Sequence, residues 1–555
     1  MTIRTTAAAL LAPLALAGTV SAQAVSIRPL LARADSLLGA SRHAAAADAY
    51  REILRRDSTQ IGATLGLARA EAGAGRTSES IRWHRRALEV GVGVRSEVSY
   101  RIAQLHAARG ERDSTIAWLE RSLDARLEAR GRIGRDSSFA RWADDAVFRR
   151  LAGREGSELT DRVAGWRADV DHLVVEARRM HAGPDRPAHG PWFAQAAEAL
   201  KRRVPELSDE RVAVELQRLL ASLGDGHSLL YPFPTPKVPF ARVPLDLWQF
   251  ADGLVVIGAD SSLAARVGQR VVEVGGVSVA EALARLEPYV SRDNPMGMLV
   301  LGTFFLTMPP FLDAVGLGDG RGVAYTFTTS DGRRETVLLA ASGMRAPAFK
   351  IPPPPGGAPA PLYLQRPDDN LWLTPLQPEG VVYLQFNQVR DQPTIAVAAF
   401  ADSLRRTLGR TAARHLIVDV RRNNGGNSSL NRPLLRALVE FDLQPNRRLW
   451  VLTARSTFSA SQNFINQVER LTDATFVGEP SASKPNFAGE DTEVAFPYSG
   501  LRASISTRWW QDSGPLDRRE WIAPDLTVPL RSADYLAGRD PVLAAVLEEI
   551  GRAGR

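Results

Sequence analysis

Residues 415–426, His-Leu-Ile-Val-Asp-Val-Arg-Arg-Asn-Asn-Gly-Gly, run from an apolar segment into a polar loop that ends on a glycine pair. The apolar half, 415–420, reads as a buried strand. Comparable strand candidates stand at 381–386, 449–453 and 475–477, with helical stretches near 394–407, 429–440 and 459–471 between them. This alternation predicts right-handed βαβ crossovers and a mixed or mostly parallel sheet. The functional edge of such a sheet lies at the carboxyl ends of its strands. Three segments leave that edge: 419–426, DVRRNNGG; 455–462, RSTFSASQ, which opens a helix; and 478–484, GEPSASK. Neighbouring strands are about 4.8 Å apart, so residues just past their ends can meet. They would bring together a serine, a lysine and glycine amides that no Cβ shields. That is the inventory for acyl transfer: nucleophile, base and oxyanion donors.

The remaining composition narrows the choice. At 555 residues the chain exceeds what one hydrophobic core serves, and 45 % hydrophobic with 24 % charged residues excludes collagen-like, disordered and multi-span membrane classes. Cysteine is absent, which removes disulfides, thiolate metal sites and a cysteine nucleophile. The formal charge is +7, but 62 acidic residues are interleaved with 69 basic ones and no basic run stands out, so nucleic acid is not an expected partner. The basic residues are 65 arginines and only four lysines, Lys201, Lys237, Lys350 and Lys484.

Upstream, residues 1–22 have a basic Arg4, an apolar stretch too short to span a bilayer and a small-residue cleavage site at Val20-Ser21-Ala22, the pattern of a signal peptide. The expectation is a periplasmic or secreted protein with no stable membrane span. From 25 to 155 the chain is helical and repetitive. Ala47, Tyr50 and Leu54 recur as Ile81, His84 and Leu88, then as Ile116, Leu119 and Leu123, and Gly75 matches Gly110. Such tetratricopeptide-like hairpins stack into a solenoid that can hold substrate or an adaptor. Amphipathic helices fill 160–235 and end at the turn Gly224-Asp225-Gly226-His227. Short β-like runs occupy 240–345, and 346–378, with its run IPPPPGGAPAP, reads as a proline-rich linker or loop. A catalytic α/β core at 379–535 and a terminal helix at 536–555 complete the expected multidomain α/β architecture.

These segments resemble the C-terminal-processing, or tail-specific, serine peptidases. The resemblance rests on the D-x-R-x-N-x-G-G loop (Asp419 to Gly426), the S-x-S at a helix start (Ser459, Ser461) and the G-E-P-x-x-x-K turn (Gly478 to Lys484). Ser459 and Lys484 lie 25 positions apart, as do that family's serine and lysine. The run from Gly268 to Val277 is similar to part of its PDZ-like domain, and 160–235 to its helical cap. The resemblance covers about 160–535. It implies that Ser459 attacks a peptide carbonyl, that Lys484 is the base, and that amides near Gly425 or Gly426 and of Ala460 form the oxyanion hole. A lysine base must lose about 3 pKa units, about 4 to 5 kcal/mol of desolvation or like-charge cost, which arginine cannot do.

The pattern also departs from that family. Pro485 and Ala488 stand where it places glycine and glutamine, and Glu479 and Glu490 are near enough in sequence to pair with the lysine. Pro485-Asn486 and the Gly-Asp-Gly-His turn instead resemble relatives of the tricorn type, which use a Ser/His/acid arrangement. His227 would then activate Ser459, supported by Glu490 or Glu520. Metal-binding H-E-x-x-H and phosphate-binding loops are absent from the sequence, and no cofactor is expected. The sequence thus reads as an exported serine endopeptidase acting on unfolded or C-terminally exposed polypeptide. The alternatives are an inactive scaffold that binds peptides or partners, and a hydrolase of small esters or amides.

Overall fold

In a computed structural model of the chain the described residues are 26–91, 95–127, 130–154, 157–318, 322–329, 331–344, 354 and 360–553. The expected signal peptide, 1–22, and most of the proline run lie outside them. Two compact units divide between Ala125 and Arg126.

Among the described residues the first unit is six helices, Ile27–Gly39, His43–Arg56, Ile61–Gly73, Thr77–Val90, Arg95–Ala108 and Arg112–Asp124. Alternate helices begin at His43, Thr77 and Arg112, so the period of the sequence is a period of helix starts. Packing follows the small residues. The fully buried Tyr50 ring lies against Gly66, where a Cβ would come within 2.3 Å of Tyr50 Cζ, and its hydroxyl donates to Asp35 Oδ1 at 2.6 Å.

The second unit is built on a six-stranded sheet, ordered Leu526–Thr527, Thr475–Gly478, Arg448–Thr453, His415–Asp419, Val381–Phe386 and Leu371–Leu376. All neighbours are parallel except the last pair. Alternation along each strand divides the core in two. Val382, Leu384, Val418 and Val451 face the helices Val397–Arg410, Asn431–Asp442 and Ala460–Leu471, whereas Val381, Tyr383, Ile417 and Leu452 face helix Pro541–Ala553 through Val542, Val546 and Ile550. A parallel sheet needs both faces covered in this way. A second sheet, in the order Leu245–Phe250, Gly253–Ala259, Arg270–Val274, Gly322–Thr328 and Arg334–Ala340, is antiparallel, with Val277–Ser278 paired to Arg270–Val274. A third joins Leu229–Tyr231 to the long hairpin Asn486–Ala495/Arg502–Gln511.

Several expected boundaries shift. The repeat region expected at 25–155 crosses the division between the units: residues from 126 belong to the second, where Arg130 pairs with the buried Glu176 at 2.6 Å. The linker expected at 346–378 holds a strand, Leu371–Leu376, that the flanking prolines obscure. Pro375 is tolerated because this strand is the sheet edge. The stretches expected as a helical cap, 160–235, and a PDZ-like domain, 240–345, share one core, in which Trp166, Leu216, Val256, Phe311, Tyr325 and Ile505 belong to a single buried cluster.

The end of strand His415–Asp419 is fixed by charge. Arg421 donates to Asp419 and, from both Nη atoms, to Asp540 at 2.8 Å, while Tyr383 donates its hydroxyl to Asp419 Oδ2 at 2.8 Å. All three charged groups are buried or nearly so. Removing the cation from such a triad leaves two buried carboxylates without their counter-charge. Arg421→Ala is expected to cost about 3–5 kcal/mol in denaturant unfolding of the larger unit, whereas Arg552→Ala, on an exposed helix face, leaves the midpoint unchanged.

Candidate active site

Ser459 closes the turn between strand Arg448–Thr453 and helix Ala460–Leu471. Its backbone adopts φ +55° and ψ −124°, a conformation that costs a non-glycine residue about 1–3 kcal/mol and survives only where the surroundings over-determine it. The Thr457 hydroxyl donates to Val420 O at 3.0 Å. Phe458 N–H donates to Asn423 O at 3.1 Å, and Ala482 N–H to Thr457 O at 3.0 Å. Arg455 grips Glu479 with two bonds of 3.0 and 2.6 Å and donates to Gln249 O at 2.6 Å. So held, the Ser459 side chain makes no cap bond to its helix, and its hydroxyl is left for another partner.

That partner is His227. Its Nε2 stands 2.9 Å from Ser459 Oγ, with the ring stacked on Phe458 at 4.4 Å and lying 5.8 Å from Phe487. The turn that carries it is built around Asp225. One carboxylate oxygen accepts the amides of His227 and Ser228 at 2.9 and 2.7 Å and the Ser506 hydroxyl at 2.6 Å; the other faces His181 Nε2 at 2.9 Å. Burial opposes the charge on Asp225, but the His181 and Ser506 bonds outweigh it and hold the carboxyl below its ordinary range. The Ser504 hydroxyl also donates to His227 O at 2.5 Å.

The glycine loop approaches from the other side. A Cβ on Gly425 would lie 2.7 Å from Ser459 Cβ, and one on Gly426 only 2.2 Å from Val389 O, with φ at +115° and +135°. No other residue fits either position. The Gly425 amide is already taken by Asn423 Oδ1 at 3.0 Å. Among the described residues no acceptor is found for the Gly426 amide. The Ala460 N–H heads its helix, where no preceding turn supplies an acceptor.

Lys484 lies elsewhere. Its side chain is 39 % exposed and its Nζ faces Glu520 Oε2 at 4.0 Å, with no hydrogen bond to Ser459 among the described residues. Glu479 is occupied by Arg455. Glu490 sits exposed on the hairpin with φ +54°, and neither it nor Glu520 bonds His227. The side chain that does stand beside the histidine turn is one the sequence reading missed: Asp293, buried, with Oδ1 accepting the Gly226 amide at 2.8 Å. Sixty-odd residues separate it from His227, and an Asp-Asn-Pro run reads as an ordinary turn.

A cavity of about 620 Å³ opens beside Ser459 and His227. Leu230, Phe233, Val300, Leu301, Phe304 and Phe305 line its apolar side. Among the described residues there is no group of three or more metal-ligating side chains, and no helix is long and apolar enough to cross a membrane.

No family model and no curated protein matches the chain. Among solved structures, mature CPAF complexed with lactacystin aligns over 70 % of this chain and 97 % of its own, with a TM-score of 0.51 at 14 % identity. Mature CPAF aligns over 70 % and 96 %, with a TM-score of 0.50 at 14 % identity. The photosystem II D1 C-terminal processing protease aligns over 68 % and 98 % at 14 % identity, with a TM-score of 0.34. At such identities the likeness to mature CPAF is one of fold.

Proposed function

We propose that the larger unit is a serine endopeptidase that cleaves unfolded or C-terminally exposed polypeptide through an acyl-enzyme on Ser459, with His227 as general base. The observation that carries this reading is the 2.9 Å approach of His227 Nε2 to a strained, uncapped Ser459. As Oγ attacks the scissile carbonyl carbon, its proton passes to Nε2. The carbonyl oxygen becomes an oxyanion facing the Gly426 and Ala460 amides. Collapse breaks the C–N bond, and the imidazolium returns the proton to the leaving nitrogen. Water, deprotonated by the same imidazole, then releases the acyl group.

The apolar flank of the cavity suits extended chain rather than a folded surface. Strand Arg334–Ala340 forms one edge of the antiparallel sheet, with Leu338 74 % exposed, and offers a route for a substrate end to join by strand addition. The helical repeats would recruit substrate or an adaptor, and the N-terminal address would direct the protein to the periplasm or the outside.

Purified protein should cleave casein, Ser459→Ala should abolish cleavage, and a fluorophosphonate should label Ser459 alone. Casein turnover persisting in Ser459→Ala would sink the proposal. Cleavage of a small ester but not of casein would favour the small-substrate alternative. His227→Ala is expected to lower kcat by about 10²–10⁴-fold, while Lys484→Ala should stay within a few-fold of the parent; the reverse ranking would restore the lysine as base. Gly426→Ala, forced against Val389 O, should slow phosphonylation by about 10²-fold or more.

A further inference from the structure

His227 has one ring nitrogen engaged with Ser459 and another, Nδ1, that is buried without a partner. A buried polar atom left unpaired costs about 1–3 kcal/mol, so native structures rarely keep one without cause. Beside this turn a second such atom is found. Asp293 Oδ1 accepts the amide of Gly226, the residue next to the histidine, and Oδ2 of the same buried carboxylate has no partner. Two complementary orphans, a potential N–H donor and a carboxylate oxygen, therefore belong to side chains that line the same cavity.

Resting on the reading of His227 as base, we propose that Asp293 is the positioning residue that orients it, accepting a hydrogen bond from Nδ1–H directly or through one water and so leaving the Nε2 lone pair for Ser459. Hydrogen bonds of this kind are often loose in a resting site and tighten when charge develops.

The other carboxylates near the dyad are less suited. Asp225 already takes donors on both oxygens, Glu520 faces Lys484, and Glu490 is exposed. Asp293 is also tied to both halves of the dyad. Its neighbour Asn294 donates to Ser481 O at 3.0 Å and to Glu520 O at 2.7 Å, which anchors the segment against the turn carrying Ser483. The Ser483 hydroxyl in turn receives the Ser459 amide at 3.4 Å. The charged groups acting on Asp293 are His227 and Asp225, the latter bonded to His181. Burial, with the Asp225 charge, pushes the Asp293 carboxyl up to about 6, against the pull of His227. Such a group gains most from a cation forming next to it.

The test compares Asp293→Asn with Asp293→Ala and Glu520→Gln, using casein and a small ester. Asparagine keeps an oxygen for the Gly226 amide, so a purely structural role predicts near-parental kinetics for Asp293→Asn. The proposal instead predicts a fall in kcat of about 10²-fold or more with KM nearly unchanged. It also predicts that the acidic limb of kcat/KM moves down by about one pH unit, because the imidazolium loses its counter-charge. Parental kcat in Asp293→Asn would overturn it, as would a loss of that size in Glu520→Gln alone. Full activity in His227→Ala would overturn the base assignment as well, whereas inactive His227→Ala beside fully active Asp293→Asn overturns only the role of Asp293. Should the variants fail to fold, nitrogen NMR of the parent protein with labelled histidine decides. A resting His227 protonated at Nδ1 supports the proposal, and one protonated at Nε2 overturns it.

Discussion

The contact between His227 Nε2 and Ser459 Oγ joins side chains 232 positions apart, and on its own it holds nothing, since a net hydrogen bond contributes only about 1 kcal/mol. Each end has to be placed independently to within a few tenths of an ångström. Ser459 is placed by the parallel sheet, at a strand end where the glycine loop and the Glu479 turn converge. His227 belongs to no strand of that sheet. Its turn is attached instead to the hairpin Asn486–Ala495/Arg502–Gln511, through the Leu229–Tyr231 strand and the bonds of Ser504 and Ser506. That hairpin begins just after Lys484, so one segment of chain connects the Ser459 turn to the frame that holds the histidine.

The two buried carboxylates beside this contact have opposite environments. Asp225 is surrounded by donors and held below its ordinary range, whereas Asp293, buried beside the Asp225 charge with only the Gly226 amide and the Ser483 hydroxyl as donors, is pushed up. Pairs of titratable groups driven apart in this way mark a division of labour. Asp225 shapes the turn and shares its charge among amides and hydroxyls. Asp293 keeps unused capacity, which a purely structural carboxylate would not.

How much of this was legible follows from where the information sits. Strands 381–386, 415–420, 449–453 and 475–477 were readable because a parallel sheet buries both faces and leaves continuous apolar runs, and their order fixed which edge would carry Ser459 and the glycine loop. His227 stood out because glycines bend the chain around it. Asp293 had no local signature, since its meaning depends on contacts with Gly226 and on the turn carrying Ser483, which only tertiary structure supplies. The hairpin was missed for a related reason: in strand 486–495 the run Gly489-Glu490-Asp491, with Glu490 at φ +54°, breaks the alternation that would reveal it. The shared core of cap and antiparallel sheet was equally invisible, because periodicity reports that a face is buried but not what it is buried against.

Lysine scarcity made Lys484 conspicuous, and its 25-residue spacing from Ser459 matches a lysine base. Yet a lysine base needs water and counter-charge removed from around its ammonium. Here the side chain keeps access to solvent and has a carboxylate 4.0 Å away. The apolar enclosure is found around the imidazole instead, with Phe458 and Phe487 on its two sides and a buried carboxylate beside its turn. Imidazole needs no large pKa displacement to act near neutrality; it needs a fixed tautomer and orientation. Flat aromatic walls and a directional acceptor supply those two constraints, and neither would help an ammonium on a flexible stem. The environment therefore favours the imidazole over the ammonium as the proposed base, against what the spacing alone suggests.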